Sequence, residues 1–164
     1  MPTAPRIVER AEQPYVAVSG RVTMETIGAI ADRLPEVFAW LGARGLEPAG
    51  APFFRYDRID MERQLEVEAG VPVTAAAAAD GEVLAGVLPA GRYASVTHVG
   101  HPDGLADATT ALLDWVARQG LAWDVTETPE GQRWGCRLEV YKTDPAEQPD
   151  MGRWETELLF RLAD

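Results

Sequence analysis

The chain has 164 residues, a single-domain length against the usual prior of roughly 100–200 residues per domain. Hydrophobic residues make up 46% and charged residues 25%, a globular composition that excludes a disordered or fibrous chain. Fifteen Lys+Arg against 26 Asp+Glu leave a net charge of −11, which repels phosphate backbones and concentrates cations.

Taken in chain order, the opening segment carries charges where a signal peptide needs an apolar stretch, and no window reaches about 18 unbroken apolar residues. A soluble, cytoplasmic protein with no membrane partner is expected. Tyr15-Val-Ala-Val-Ser19 has strand composition. Ile27, Ile30, Leu34, Val37, Phe38 and Leu41 then step at threes and fours, one apolar stripe of an amphipathic helix. Pro35 inside that stripe removes a backbone donor and predicts a kink or split. Gly45 falls where a helix end wants a left-handed residue. Extended segments follow at 52–59 and 61–73, and the alanine run 75–79 with Asp80-Gly81 joins the next unit, its own structure undecided.

The same order then returns. Tyr93-Ala-Ser-Val-Thr97 matches Tyr15-Val-Ala-Val-Ser19 at an offset of 78 residues, and Trp115-Val-Ala-Arg-Gln-Gly-Leu121 matches Trp40-Leu-Gly-Ala-Arg-Gly-Leu46 at an offset of 75. Between the second pair of matches, Leu105, Ala108, Leu112 and Val116 draw another helical stripe, with Pro102 suited to a first turn and Gly120 to the end. Residues 119–132 mix Trp, Pro and Gly and are expected to form a long loop, and 134–143 and 154–162 read as strands. The expected fold is α+β: one domain, 1–164, of tandem strand-helix-strand-strand repeats at about 15–73 and 83–164, with antiparallel sheets and a linker at 74–82.

Strand alternation divides the side chains between faces. Cys136, Leu138 and Val140 share one face and Arg137, Glu139 and Tyr141 the other. The apolar set is expected under the helices, which leaves Glu139 and Tyr141 on the reverse face. Two such faces opposed across a pseudo-twofold axis enclose a cleft with a carboxylate beside aromatic rings. Trp134, Tyr141 and Trp154 frame the Glu139 segment, and Tyr56 in the first half joins them as a candidate ligand contact. Trp154 and Glu157 alternate to opposite faces.

Four segments carry a family resemblance. They are Gln64-Leu-Glu-Val-Glu-Ala-Gly-Val-Pro-Val73, Leu88-Pro-Ala-Gly-Arg-Tyr-Ala-Ser-Val96, Leu138-Glu-Val-Tyr-Lys-Thr-Asp-Pro145 and Trp154-Glu-Thr-Glu-Leu158. In this order and spacing the chain resembles the GyrI-like small-molecule-binding domain, also the effector-binding domain of AraC-type and MerR-type multidrug regulators. The resemblance implies a hydrophobic cleft between the repeats, lipophilic and often cationic ligands, and an acidic residue that attracts them; the matching position is Glu139. Regulators carry a helix-turn-helix domain ahead of this module, whereas only about 14 residues precede Tyr15, so a stand-alone binder for sequestration or sensing is expected. Two other roles come with the resemblance: a hydrolase that opens the cyclopropane of DNA-alkylating antibiotics, with Glu139 catalytic, and a gyrase-inhibitor-like protein interaction whose partner no residue identifies.

Other chemistry is unsupported. His98-Val-Gly-His101 has ligand spacing but no third ligand nearby, and reads as a surface turn rather than a metal site. Nucleotide and serine-hydrolase fingerprints are missing, so no cofactor is expected. Cys136 alternates into an apolar face and reads as buried and inert.

Overall fold

The computed structural model describes residues 4–163 apart from Met24, Met61 and Arg63. Its strands are β1 (Arg6–Arg10), β2 (Gln13–Val22), β3 (Phe53–Ile59), β4 (Leu65–Pro72), β5 (Leu84–Leu88), β6 (Gly91–Val99), β7 (Val125–Thr128), β8 (Gly131–Trp134), β9 (Arg137–Tyr141) and β10 (Glu155–Arg161). They form one ten-stranded sheet in the order β1-β6-β10-β9-β3-β4-β2-β5, with the β7–β8 hairpin attached through β3. Every pairing is antiparallel.

Three α-helices lie on one face of this sheet. Pro35 sits in the first turn of a helix, where its missing N–H costs nothing, and the expected split follows: α1 (Gly28–Ala31) and α2 (Leu34–Ala43) pack on β2 and β4. Helix α3 (Leu105–Arg118) packs on β6 with Ala108, Leu112 and Val116 buried. Both long helices end as expected, with Gly45 at φ 64° and Gly120 at φ 71°. The chain reverses there, so that the Leu46 amide donates to the Leu41 carbonyl and Leu121 to Val116. Among the described residues no helix is long and apolar enough to cross a membrane.

The two faces of the sheet carry different cores. Under α1 and α2 lie Val16, Val18, Phe54, Val67, Ala69 and Val71; under α3 lie Ala94, Val96, Trp134, Leu158 and Phe160. The reverse face buries Tyr15, Ala17, Phe53, Tyr93, Cys136, Leu138 and Leu159. The sheet curls into a half-barrel around that third core, and glycines let it close: a Cβ on Gly70 would stand 2.8 Å from the Phe53 ring, and one on Gly86 2.8 Å from the Tyr15 hydroxyl. This reverses the expected orientation of β9. Cys136 and Leu138 are apolar because they fill the curl, not because they lie under helices, so Glu139 and Tyr141 take the helix-bearing face. A period-2 pattern separates the faces but does not say which of two apolar cores each serves.

Local boundaries also moved. The expected loop at 119–132 contains most of the β7–β8 hairpin, and the expected strand at 134–143 breaks at Gly135 and Cys136 between β8 and β9. The expected strand 61–73 starts on residues outside the description (Met61, Arg63) and is strand from Leu65. The alanine run 75–79 is irregular.

Candidate functional site

Helices α1 and α2 cover β2 and β4, and α3 covers β6, which leaves β9, flanked by β3 and β10, at the floor of a groove between the two helical layers. Cross-strand register fixes what that floor presents. Phe54 and Leu158 flank Glu139 on its two sides, Thr156 lies beside Tyr141, and Phe160 beside Arg137. Directly paired residues share a face, so these side chains all stand on the helix-bearing face, with Leu158 and Phe160 fully buried under α3 and Phe54 and Thr156 reaching the cavity.

At one end the groove widens into a cavity of about 910 Å³, within the range of small-molecule sites. Leu34, Phe38, Pro52, Phe54, Tyr141, Pro145 and Trp154 give it mainly apolar walls, and Lys142, Asp144 and Glu155 stand at its polar edge. Phe38 remains 40% exposed there, an aromatic ring without a full complement of packing partners. The Trp154 indole is oriented by donating its N–H to the Gln148 carbonyl at 2.7 Å.

Glu139 lies one hydrogen bond behind the cavity wall. The hydroxyls of Tyr56 and Tyr141 both donate to its Oε1, each at 2.8 Å. A half-buried carboxylate needs such donors to offset lost hydration. Doubling them on one oxygen leaves Oε2 without a hydrogen bond from the described residues. Burial, then the neighbouring carboxylate charge, hold both phenols well above the ordinary tyrosine range, so both are neutral donors at physiological pH. Two residues along β9, the Arg137 guanidinium lies over the rings of Phe160 at 4.4 Å and Trp134 at 4.8 Å. Burial lowers its pKa to about 10, opposed by the charge of Glu139, so the guanidinium stays charged at neutral pH.

The structure therefore brings together Tyr56, Glu139 and Tyr141, and sets Trp154 across the cavity from α2. Trp134 stands apart: it is only 5% exposed, packed with Trp123 and Phe160 beneath α3, and its ring carries the Arg137 guanidinium. Phe38, Phe54 and Arg137 escaped the sequence reading. Phe38 continued a helical stripe and looked like core, and Phe54 is recognisable only through its register opposite Glu139.

The remaining motifs resolve as structure. His98 is buried, 8% exposed, with Nε2 2.9 Å from the His101 carbonyl oxygen, so it is no surface turn; the His101 ring accepts from the Asp103 amide. No group of three or more potential metal-ligating side chains occurs among the described residues. Cys136 is fully buried, and burial raises its thiol pKa. On the reverse face Tyr15 donates to Glu68, Arg55 donates to Tyr15 at 3.0 Å, and Asp57, at a bulge in β3, stands 3.2 Å from Arg55. Burial and a hydrogen bond with Glu68 push Asp57 up to about 8. This polar cluster is on the far side of the sheet from the groove.

A curled antiparallel sheet with helices on one face and a walled apolar cavity between them defines a small-molecule-binding domain. The chain belongs to the GyrI-like small molecule binding domain family, whose model matches residues 3–163. Among solved structures it is similar to the EcmrR C-terminal domain, with a TM-score of 0.78, 20% identity, and 98% of each chain covered. It spans 57% of the EcmrR chain in a DNA complex with the same TM-score. It is also similar to SAV2435 bound to tetraphenylphosphonium (TM-score 0.68, 9% identity, 98% of this chain and 94% of that one), and to a hydrolase from Listeria innocua (0.63, 12%, 97% and 91%). No curated protein matches the sequence significantly.

Proposed function

We propose that the protein binds lipophilic, often cationic, aromatic molecules in the groove, with their rings against Phe38, Phe54, Tyr141 and Trp154 and the positive charge facing Glu139. The observation that carries this reading is the Glu139 carboxylate, held by two neutral phenols immediately behind an apolar, aromatic-walled cavity. The likeness to SAV2435 with its tetraphenylphosphonium supports it. Micromolar affinity needs about −8 kcal/mol. Burying ~200 Å² of ring surface at about 25 cal/mol per Å² contributes ~5 kcal/mol, and each aromatic face adds roughly 0.5–2 kcal/mol by cation–π attraction. Aromatic burial thus supplies most of the affinity, and the carboxylate selects the sign of charge. Stacking needs no fixed hydrogen-bond pattern, so specificity is broad.

Titration with tetraphenylphosphonium, followed by quenching of tryptophan fluorescence, tests the reading. Saturable quenching that weakens at least fivefold in Glu139→Gln supports it; no saturable quenching, or equal affinity in the variant, refutes it. A hydrolytic role has one observation in its favour, the Oε2 of Glu139 left open to a water, together with the likeness to a hydrolase. Incubation with a spirocyclopropane compound, watching for a mass gain of one water, decides that reading.

A further inference from the structure

Arg137 lies on the helix-bearing face of β9, two residues from Glu139 and outside the lining of the cavity, and its surroundings are unusual. Its guanidinium lies on the faces of Trp134 and Phe160, yet among the described residues no hydrogen bond or ion pair engages its N–H groups. The other half-buried arginines differ: Arg33 pairs with Glu36, Arg55 donates to Tyr15 and Gly135, Arg58 pairs with Glu66, and Arg161 donates to Asp124. A stacked, half-buried guanidinium with idle donors is already oriented to meet an acceptor, because its plane and position are fixed by the rings beneath it.

Its neighbour on the same face is Glu139, two residues away and hence about 7 Å along the strand. That carboxylate also keeps an oxygen without a donor among the described residues. The helix-bearing face of β9 therefore carries a positive and a negative charge side by side, the guanidinium without a hydrogen bond and one carboxylate oxygen without a donor among the described residues. A ligand bearing only a positive charge satisfies Glu139 but leaves Arg137 facing another cation. We propose that the site recognises zwitterionic aromatic molecules, with Arg137 a second recognition residue that binds the ligand's carboxylate or a comparable acceptor while Glu139 meets its cationic end. This rests on the binding reading above and names the ligand class for the same groove.

The charge arithmetic supports the choice. Burial lowers the Arg137 pKa to about 10 and Glu139 opposes that shift, so the guanidinium is stabilised as a cation by the very residue expected to attract one. A bidentate carboxylate on the ligand would supply what the protein does not, two charge-assisted hydrogen bonds in the fork geometry that only arginine offers.

Rhodamine 110 and its methyl ester rhodamine 123 share one ring system and differ only in whether a free carboxylate accompanies the cation. Fluorescence anisotropy with both dyes separates the possibilities. The free acid is expected to bind about tenfold tighter than the ester, and Arg137→Met to bring the two within twofold while leaving the ester unchanged or tighter. Equal binding of acid and ester by the wild-type protein, or a preference that persists in Arg137→Met, overturns the role of Arg137 while leaving the cavity reading intact. If the acid binds more weakly than the ester, the site is a simple cation site and the inference fails. Binding of neither dye overturns the cavity reading, and this inference with it. Should Arg137→Met not fold, Arg137→Gln keeps most of the volume and is read in the same way, a loss of the acid preference supporting the role of Arg137 and its persistence overturning it.

Discussion

Removing the two phenols that hold Glu139 should cost more together than the sum of the separate removals. In the structure, Tyr56 and Tyr141 donate to the same oxygen at 2.8 Å. Hydrogen bonds to an ionised acceptor contribute about 1.5–3 kcal/mol each. Tyr56→Phe or Tyr141→Phe alone leaves the carboxylate one donor, so each should destabilise by about 1.5 kcal/mol, the low end of that range. The double variant strands a half-buried carboxylate, and its cost should exceed the sum of the singles by about 0.5–3 kcal/mol, the usual coupling of residues in one network. Urea unfolding at neutral pH measures this through midpoints at a common slope. The same substitutions in a Glu139→Met background supply the control: with the acceptor gone, each Tyr→Phe change should lie near neutral, because a phenol without its partner has no bond to lose. Singles below about 0.5 kcal/mol that simply add would show that the phenols do not anchor the carboxylate.

Three further outcomes follow from other parts of the molecule. All four tyrosines, Tyr15, Tyr56, Tyr93 and Tyr141, have pKa values raised above 10, first by burial in every case. A raised phenol contributes stability that is intact below its unfolded value of about 10 and is lost as pH climbs through the folded value. Phenolate absorbance should therefore appear only together with unfolding on the alkaline side, and a separate phenolate step near pH 10 in folded protein would contradict the burial. Asp57, raised to about 8 by burial and by Glu68, contributes stability fully present below about pH 4 and lost as pH rises through 8. Asp57→Asn should thus raise the melting temperature at pH 8–9 and not at pH 4, by about 2–4 °C per kcal/mol gained; a lower melting temperature at high pH would mean that the ion pair with Arg55 outweighs burial. Leu112→Ala should cost about 2–5 kcal/mol in thermal unfolding, since Leu112 is fully buried under α3 and alanine keeps the helix; a cost below about 1 kcal/mol would indicate that α3 is not seated on the sheet.

Periodicity made the helices legible, and they mark where the groove must lie. The stripes Ile30, Val37, Leu41 and Ala108, Leu112, Val116 are the buried residues observed, and Pro35 and the two left-handed glycines set the boundaries as backbone chemistry requires. The alternation of β9 was legible as well, but its direction was not. A sheet with one apolar face hides that face under helices, and the reading assumed this one did. Here both faces are apolar, because the sheet also closes on itself around Tyr93, Phe53 and Leu138. Edge strands β1 and β5 were missed for a related reason: Arg6–Arg10 is charged at both ends and Leu84–Leu88 carries a glycine, so neither shows a clean alternation. The identities of Glu139, Tyr141, Tyr56 and Trp154 could be named from the sequence, and alternation placed Arg137 on the face of Glu139, but Phe54 and the stacking of Arg137 on Phe160 depend on pairings across strands far apart in the chain, which no local pattern records.

The most direct measurement is a crystal structure of the protein soaked with a flat aromatic cation. Ring density is expected between Phe38, Phe54, Tyr141 and Trp154, with the positive centre turned toward Glu139. Density on the reverse face or on the outer surface of the helices, with this cavity holding only water, would contradict it.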